Sequence, residues 1–150
     1  MMMTKSKTDR HTHVKIRICA YPEYLSLVRA AVRSVAAKIG LNVEQVDSIT
    51  LAVQEAMTNV IKHSYGCACD EEIVIKLSHI QGPKYPEGAM EIAIRDYGST
   101  IEPEDICSRD LDEVRPGGLG VHIMKTIMDE CNYCKMAEKG LELKMVKAVK

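Results

Sequence analysis

From His13 to Ala20 apolar and polar residues alternate, with Val14, Ile16 and Ile18 on one side and Lys15 and Arg17 on the other, a pattern that predicts a half-buried strand. The period then changes. Leu25, Val28, Ala31, Val32, Val35, Ala36 and Ile39 recur at helical spacing, which predicts a helix over 22–39 that opens at Pro22 and stops at Gly40. Asn42 can cap a second helix, with Glu44 and Asp47 near its positive end, running to Ser64 before Gly66 ends it. Alternation returns over Glu72 to Ile80 and Met90 to Asp96, and the stretch from Gln81 to Gly88 reads as a long hairpin connection. Tyr97 to Pro116 is polar and turn-rich, the kind of long segment that serves as a functional lid. Gly117, Gly118 and Gly120 open a third helix from Leu119 to about Glu130, and two short strands around the Lys139, Gly140 turn complete the pattern.

Strand, helix, helix, strand, strand, helix, strand, strand is the order of an α/β (α+β) two-layer sandwich: a mixed, mostly antiparallel sheet with helices on one face. Residues 1–13 carry no periodicity and are expected to be a disordered arm, leaving 14–150 as one domain.

Composition narrows the function classes. The 150 residues are 46% hydrophobic and include neither Phe nor Trp, so the core must be built from aliphatic residues and nine Met. A formal charge of −1 gives no broad field to hold a polyanion, and few flat rings are present to stack bases, so direct nucleic-acid binding is not expected. No apolar run approaches the roughly 20 residues that cross a bilayer, and the first 13 residues do not resemble an export signal. Six Cys without such a signal read as reduced thiols, and a cytoplasmic location is expected.

Three segments carry candidate chemistry. On the second helix Glu55, Asn59 and His63 form a polar stripe at i, i+4, i+8, with Ser48 and Ala52 on the same side and Val46, Ile49, Val53, Met57, Val60 and Ile61 opposite. Most such stripes are only solvated faces. Asp96 ends an apolar strand ahead of Tyr97 and Gly98; an Asp there is usually a turn former, but it can also accept a hydrogen bond from an exocyclic amine where a Gly lets a ligand near. Arg115, Pro116, Gly117, Gly118, Leu119, Gly120 and Val121 precede an amphipathic helix, where unobstructed amides at the positive end of a helix dipole suit phosphate. Neither the P-loop nor the Rossmann pattern fits this glycine cluster.

Taken in order, EAMTNVIKH (Glu55 to His63), DYG (Asp96 to Gly98) and PGGLGVHIMKTIMDE (Pro116 to Glu130) resemble the N, G1 and G2 boxes of the GHKL ATPase superfamily, which has the Bergerat ATP-binding fold. Within it the chain looks like the bacterial anti-sigma factors that are also serine-protein kinases, over about residues 14 to 149. The resemblance implies that Asn59 presents a neutral oxygen to Mg²⁺, that Glu55 is the general base, and that Asp96 accepts from the adenine amine with Gly98 keeping the pocket floor open. It further implies that Gly117, Gly118 and Gly120, with Leu119 among them, give backbone amides and room to the phosphates of ATP. Arg115 lies where it can meet the terminal phosphate, and His63 matches a box position that is commonly His. The partners implied are a sigma factor or similar target, a small antagonist protein as phosphorylation substrate, and a second copy in a homodimer.

Two residues depart from the superfamily pattern. Thr100 stands where a second Gly often follows the Asp, and Glu142 stands where a hydroxyl residue often assists it, which would set two acids near one adenine. Cys67, Cys69, Cys131 and Cys134 offer a C-x-C and a C-x-x-C, a zinc spacing weighed against idle thiols. The leading reading is an ATP-dependent serine/threonine kinase and anti-sigma factor of partner-switching type. The alternatives are an ATP-binding regulatory module without kinase activity and the detached catalytic domain of a two-component histidine kinase, the latter disfavoured because no phosphoacceptor helix pair precedes residue 14.

Overall fold

The alternating segments pair into one sheet. The computed structural model describes residues 7–98 and 118–150. In it β1 (Asp9–Ala20), β2 (Cys69–Gly82), β3 (Tyr85–Arg95), β4 (Glu130–Lys135) and β5 (Leu141–Ala148) stand in the order β1-β2-β3-β5-β4. Every neighbouring pair is antiparallel, which corrects the mixed sheet expected from the element order. The cause is the last hairpin: β5 turns back from β4 and enters beside β3, so it runs against both neighbours.

Two further boundaries differ from the sequence pattern. β1 begins at Asp9, so residues 9–12, expected in a disordered arm, pair with the end of β2, and the register shifts at His13. Alternation could not reveal this, because what holds the segment is a cross-sheet pair: Arg10 Nε and Nη2 donate to the two carboxylate oxygens of Glu91 at 2.9 and 2.8 Å. The connection between β2 and β3 is a tight turn at Pro83 and Lys84, not a long loop, with Gly82 opposite Tyr85. Pro86 and Gly88 hide the strand pattern there. Tyr85 nonetheless anchors it by packing with Ile80, Ala89 and Val146 in a small second core.

Pro22–Tyr24 form a 3₁₀ turn that leads into α1 (Leu25–Ile39), and Gly40 takes the left-handed conformation (φ 110°) that ends the helix. α2 (Val43–Asn59) starts with a reciprocal capping box. Asn42 Oδ1 accepts from Gln45 N at 2.8 Å, and Gln45 Oε1 accepts from Asn42 N at 3.0 Å. α3 (Gly118–Ile127) is shorter than the sequence suggests, because Asp129 leaves the helix to bond the end of β5 through its amide and carboxylate.

All three helices pack on one face of the sheet. Val28 and Val32 of α1 and Ile49, Val53 and Met57 of α2 meet Ile73, Ile75, Leu77, Met90, Ile92, Ile94 and Met145, all at or near full burial. Each such side chain contributes about 1.5–3 kcal/mol. This aliphatic layer is the rigid base from which α2, the end of β3 and the start of α3 present the candidate residues. No helix among the described residues is long and apolar enough to cross a membrane.

Candidate functional site

Regular α-helical bonding in α2 stops at Asn59. Residues Val60–Ser64 form a widened π turn in which Tyr65 N donates to Val60 O, five residues back, at 3.1 Å. Glu55 and Asn59, one turn apart and both half-buried, stay on a common stripe. His63 lies within the widened turn, is exposed, and its side chain makes no hydrogen bond among the described residues. Ala52, read from the sequence as part of the polar side, is fully buried, because α2 packs against both α1 and α3.

The glycine segment meets this stripe. Gly120 lies in the first turn of α3 and is buried; a Cβ placed on it would stand 2.8 Å from Glu55 Oε2 and 3.6 Å from Asn59 Nδ2. No residue with a side chain fits without moving the acid. Gly118 is the first helical residue and Leu119 the second, so their amides belong to the set that a helix start leaves without intrahelical partners. An anion in front of that end is favoured by the dipole. Gly117 and Arg115 lie outside the described residues, as does Thr100.

Asp96, only 3% exposed, follows β3 on the same side of the sheet. Its Oδ2 accepts from Ser64 Oγ at 3.1 Å and its Oδ1 from Gly98 N at 3.2 Å, while its own amide donates to Leu141 O at 3.0 Å. These contacts hold the carboxylate in one orientation at the end of β3.

Tyr65, which sequence reasoning missed, organises this end of the site. Its hydroxyl donates to Glu72 O at 2.6 Å and accepts from Tyr97 N at 2.9 Å. Burial is the main cause that pushes its pKa up to about 12, with the Asp96 carboxylate adding to it. A Cβ on Gly98 would fall 2.3 Å from the Tyr65 ring, so the ring and Gly98 are fitted to each other. Gly140 was missed as well. It has φ 84°, and a Cβ there would be 2.1 Å from Asp96 O, so the last hairpin presses directly on the backbone of the acid.

The concern about two acids at one ligand does not arise. Glu142 pairs with Arg95 across β5 and β3 and faces the opposite side of the sheet, near Lys144 at 3.7 Å. Cys131, expected at a helix end, is in β4 together with Cys134, and a separation of three along a strand turns them to opposite faces. Among the described residues no group of three or more His, Cys, Asp or Glu is placed to hold a metal ion.

Serine-protein kinase RsbW of Bacillus velezensis is 27% identical to the chain over 143 residues, covering 90% of this chain and 84% of the relative. The protein of the same name from Listeria innocua is 28% identical over 148 residues, covering 93% and 88%. Among solved structures, the RsbU and RsbW domains of a Mycobacterium tuberculosis protein superpose with a TM-score of 0.61 at 19% identity, over 90% of this chain and 31% of that one. The SiaB-SiaC complex of Pseudomonas aeruginosa also gives 0.61, at 8% identity, over 91% and 89%. The histidine kinase-like ATPase domain model matches residues 18–147. With that match taking in β2 to β4, most of β5, the three helices and all the residues that converge around Glu55 and Asp96, the chain belongs to the histidine kinase-like ATPase domain family.

Proposed function

We propose that this chain binds ATP with Mg²⁺, transfers the terminal phosphoryl group to a Ser or Thr of a small antagonist protein, and alternately holds a sigma factor or similar regulatory target. The observation that carries the reading is the approach of Gly120 to Glu55 and Asn59, with the start of α3 facing an acid and an amide one helical turn apart. The names of the Bacillus and Listeria relatives support the kinase class. Residues of the chain fit each requirement. Asp96, held by Ser64 and Gly98, would accept from the adenine amine. The amides of Gly118, Leu119 and Gly120, with Gly117 ahead of them, would meet the phosphates. Asn59 would offer its amide oxygen to Mg²⁺, which when bound neutralises phosphate charge. Glu55 would take the proton of the attacking hydroxyl as its oxygen bonds to phosphorus and ADP leaves. Arg115 is assigned to the terminal phosphate and His63 to the nucleotide site on the pattern of the boxes alone. A homodimer acting in the cytoplasm completes the proposal.

The test is incubation with γ-labelled ATP and candidate antagonist proteins. Glu55→Gln should abolish transfer while ATP binding survives. Acid-stable phosphoserine or phosphothreonine on the antagonist is the expected product. Acid-labile phosphohistidine would reassign the chain to two-component signalling, and intact ATP binding without any transfer would make it a regulatory module. Normal labelling by the Glu55→Gln protein would remove Glu55 from the role of base.

A further inference from the structure

The face of the sheet turned away from the helices carries a charge pattern that the nucleotide chemistry does not use. Strand register sets it out in two adjacent rows. One row runs Lys15, Lys76, Ala93, Lys144 across β1, β2, β3 and β5; the next runs Arg17, Val74, Arg95, Glu142 across the same strands. Five cations and one acid therefore occupy a strip about 14 Å wide at the usual strand spacing; Arg17 is paired with Glu72 at its edge at 3.5 Å and Lys144 with Glu142 at 3.7 Å, which leaves the charge of Lys15 and Lys76 side by side on β1 and β2. Its floor is apolar, with Val74 and Ala93 buried beneath the long side chains, and a cavity of about 180 Å³ opens there, also lined by Met136 and Tyr97. Lys15 and Lys76 stand directly opposite each other on neighbouring strands. Like charges so placed repel, and among the described residues neither lysine has an ion-pair partner.

We infer that this strip is a docking surface for an extended acidic segment of a protein partner. Charge complementarity supplies the first argument, since carboxylates lying between Lys15 and Lys76 would turn a repulsive pair into a binding one. Dimension supplies the second. An extended chain advances about 3.3 Å per residue and presents alternate side chains to one side, so roughly four residues with two carboxylates facing the sheet span the strip. Nucleic acid fits less well, because base stacking needs several rings, whereas the lining of this cavity includes one, Tyr97, and the Arg95 guanidinium already covers one of its faces at 4.3 Å. A membrane fits less well too. The exposed large apolar residues among those described, Tyr24, Leu27, Val43 and Leu51, lie on or beside the helices, not on this face.

The experiment is fluorescence anisotropy of a labelled hexaglutamate peptide at low salt, in the absence of nucleotide, so that its outcome does not depend on the kinase reading. Saturable binding should weaken about tenfold in the double variant Lys15→Gln, Lys76→Gln. Arg33→Gln, which removes an exposed cation paired with Asp47 on the helical side, should leave it unchanged. Circular dichroism and melting of each variant identify any loss of fold, and Lys15→Gln alone, which relieves the repulsion, should melt no lower than the parent. The inference is overturned if the peptide fails to bind, if the double variant binds it equally well, if Arg33→Gln weakens it as much, or if single-stranded oligonucleotide or anionic lipid vesicles bind the parent more tightly than the peptide.

Discussion

Gly120→Ala separates the site from the fold. A methyl group at this position would stand 2.8 Å from Glu55 Oε2, whereas ordinary contact needs about 3.5 Å, so the carboxylate must retreat by about 0.7 Å. A misplacement of about 1 Å in a reacting group can cost about a hundredfold in rate, so phosphoryl transfer should fall between about tenfold and a hundredfold. Stability should respond differently. Alanine in place of helical glycine favours the folded state by about 0.5–1 kcal/mol, while a carboxylate pushed off its rotamer costs about 0.5–1.5 kcal/mol. These nearly cancel, and a residual below about 1 kcal/mol moves the melting temperature of a 150-residue domain by at most about 4 °C. Calorimetry and labelled-phosphate transfer, measured on one preparation, give both quantities. Full transfer at an unchanged melting temperature would show that the contact between Gly120 and Glu55 has no part in catalysis. A collapse of stability would show that the glycine serves packing instead.

The remaining predictions concern the Asp96 end. Gly140→Ala should destabilise by more than about 2 kcal/mol in urea, since it adds a left-handed backbone penalty to a 2.1 Å collision with Asp96 O; Gly66→Ala, at φ 79° with nothing within 4 Å, should show only the backbone penalty of about 1–2 kcal/mol. Tyr65→Phe leaves Glu72 O and Tyr97 N without their shared hydroxyl and should cost about 1–3 kcal/mol in the same assay. The Tyr65 pKa is raised from 10.0 to about 12 in the folded chain, so its contribution is whole below pH 10 and is lost as pH rises toward 12. Melting temperatures across that window should fall more steeply for the parent than for Tyr65→Phe. Arg10→Ala should cost about 3 kcal/mol in urea by leaving the buried Glu91 carboxylate unpaired, and Arg10→Lys, which keeps the charge but loses the two-pronged contact, should recover part of the loss.

Local chemistry was legible in the sequence where a residue acts on its own backbone neighbours. Asn42 caps α2 and Gly40 ends α1 through bonds that span only a few residues, and apolar spacing alone marks the buried faces of both helices. Glu55, Asn59, Asp96 and the glycines were legible as separate features with ordinary meanings. What a pattern could not carry is their meeting, because Gly120 and Glu55 are 65 positions apart and come together only through the packing of α3 on α2. The start of β1 escaped for a related reason: Asp9 to His13 are polar, and their strand is held by Arg10 reaching Glu91. A chain charge of −1 likewise concealed the cationic strip, since an average over the whole surface does not record which strands stand side by side.

The π turn at Val60–Ser64 explains how residues at the end of the helix come to act on β3. One extra residue in a turn rotates everything after it by about 100° relative to a regular helix. His63, inside this turn, is exposed to solvent. Ser64 and Tyr65, which a regular helix would aim elsewhere, are carried to the end of β3, where the Ser64 hydroxyl meets Asp96 and the Tyr65 hydroxyl fixes the amide of Tyr97. Asp96 is thus gripped from the end of α2, from its own loop at Gly98, and from β5 through Leu141. A carboxylate immobilised from three segments has little conformational freedom left to lose when a ligand arrives, which favours binding by preorganisation. The same device couples the two halves of the site. Ser64 and Tyr65 tie the end of α2, which holds Asn59, to the segment that carries the acid.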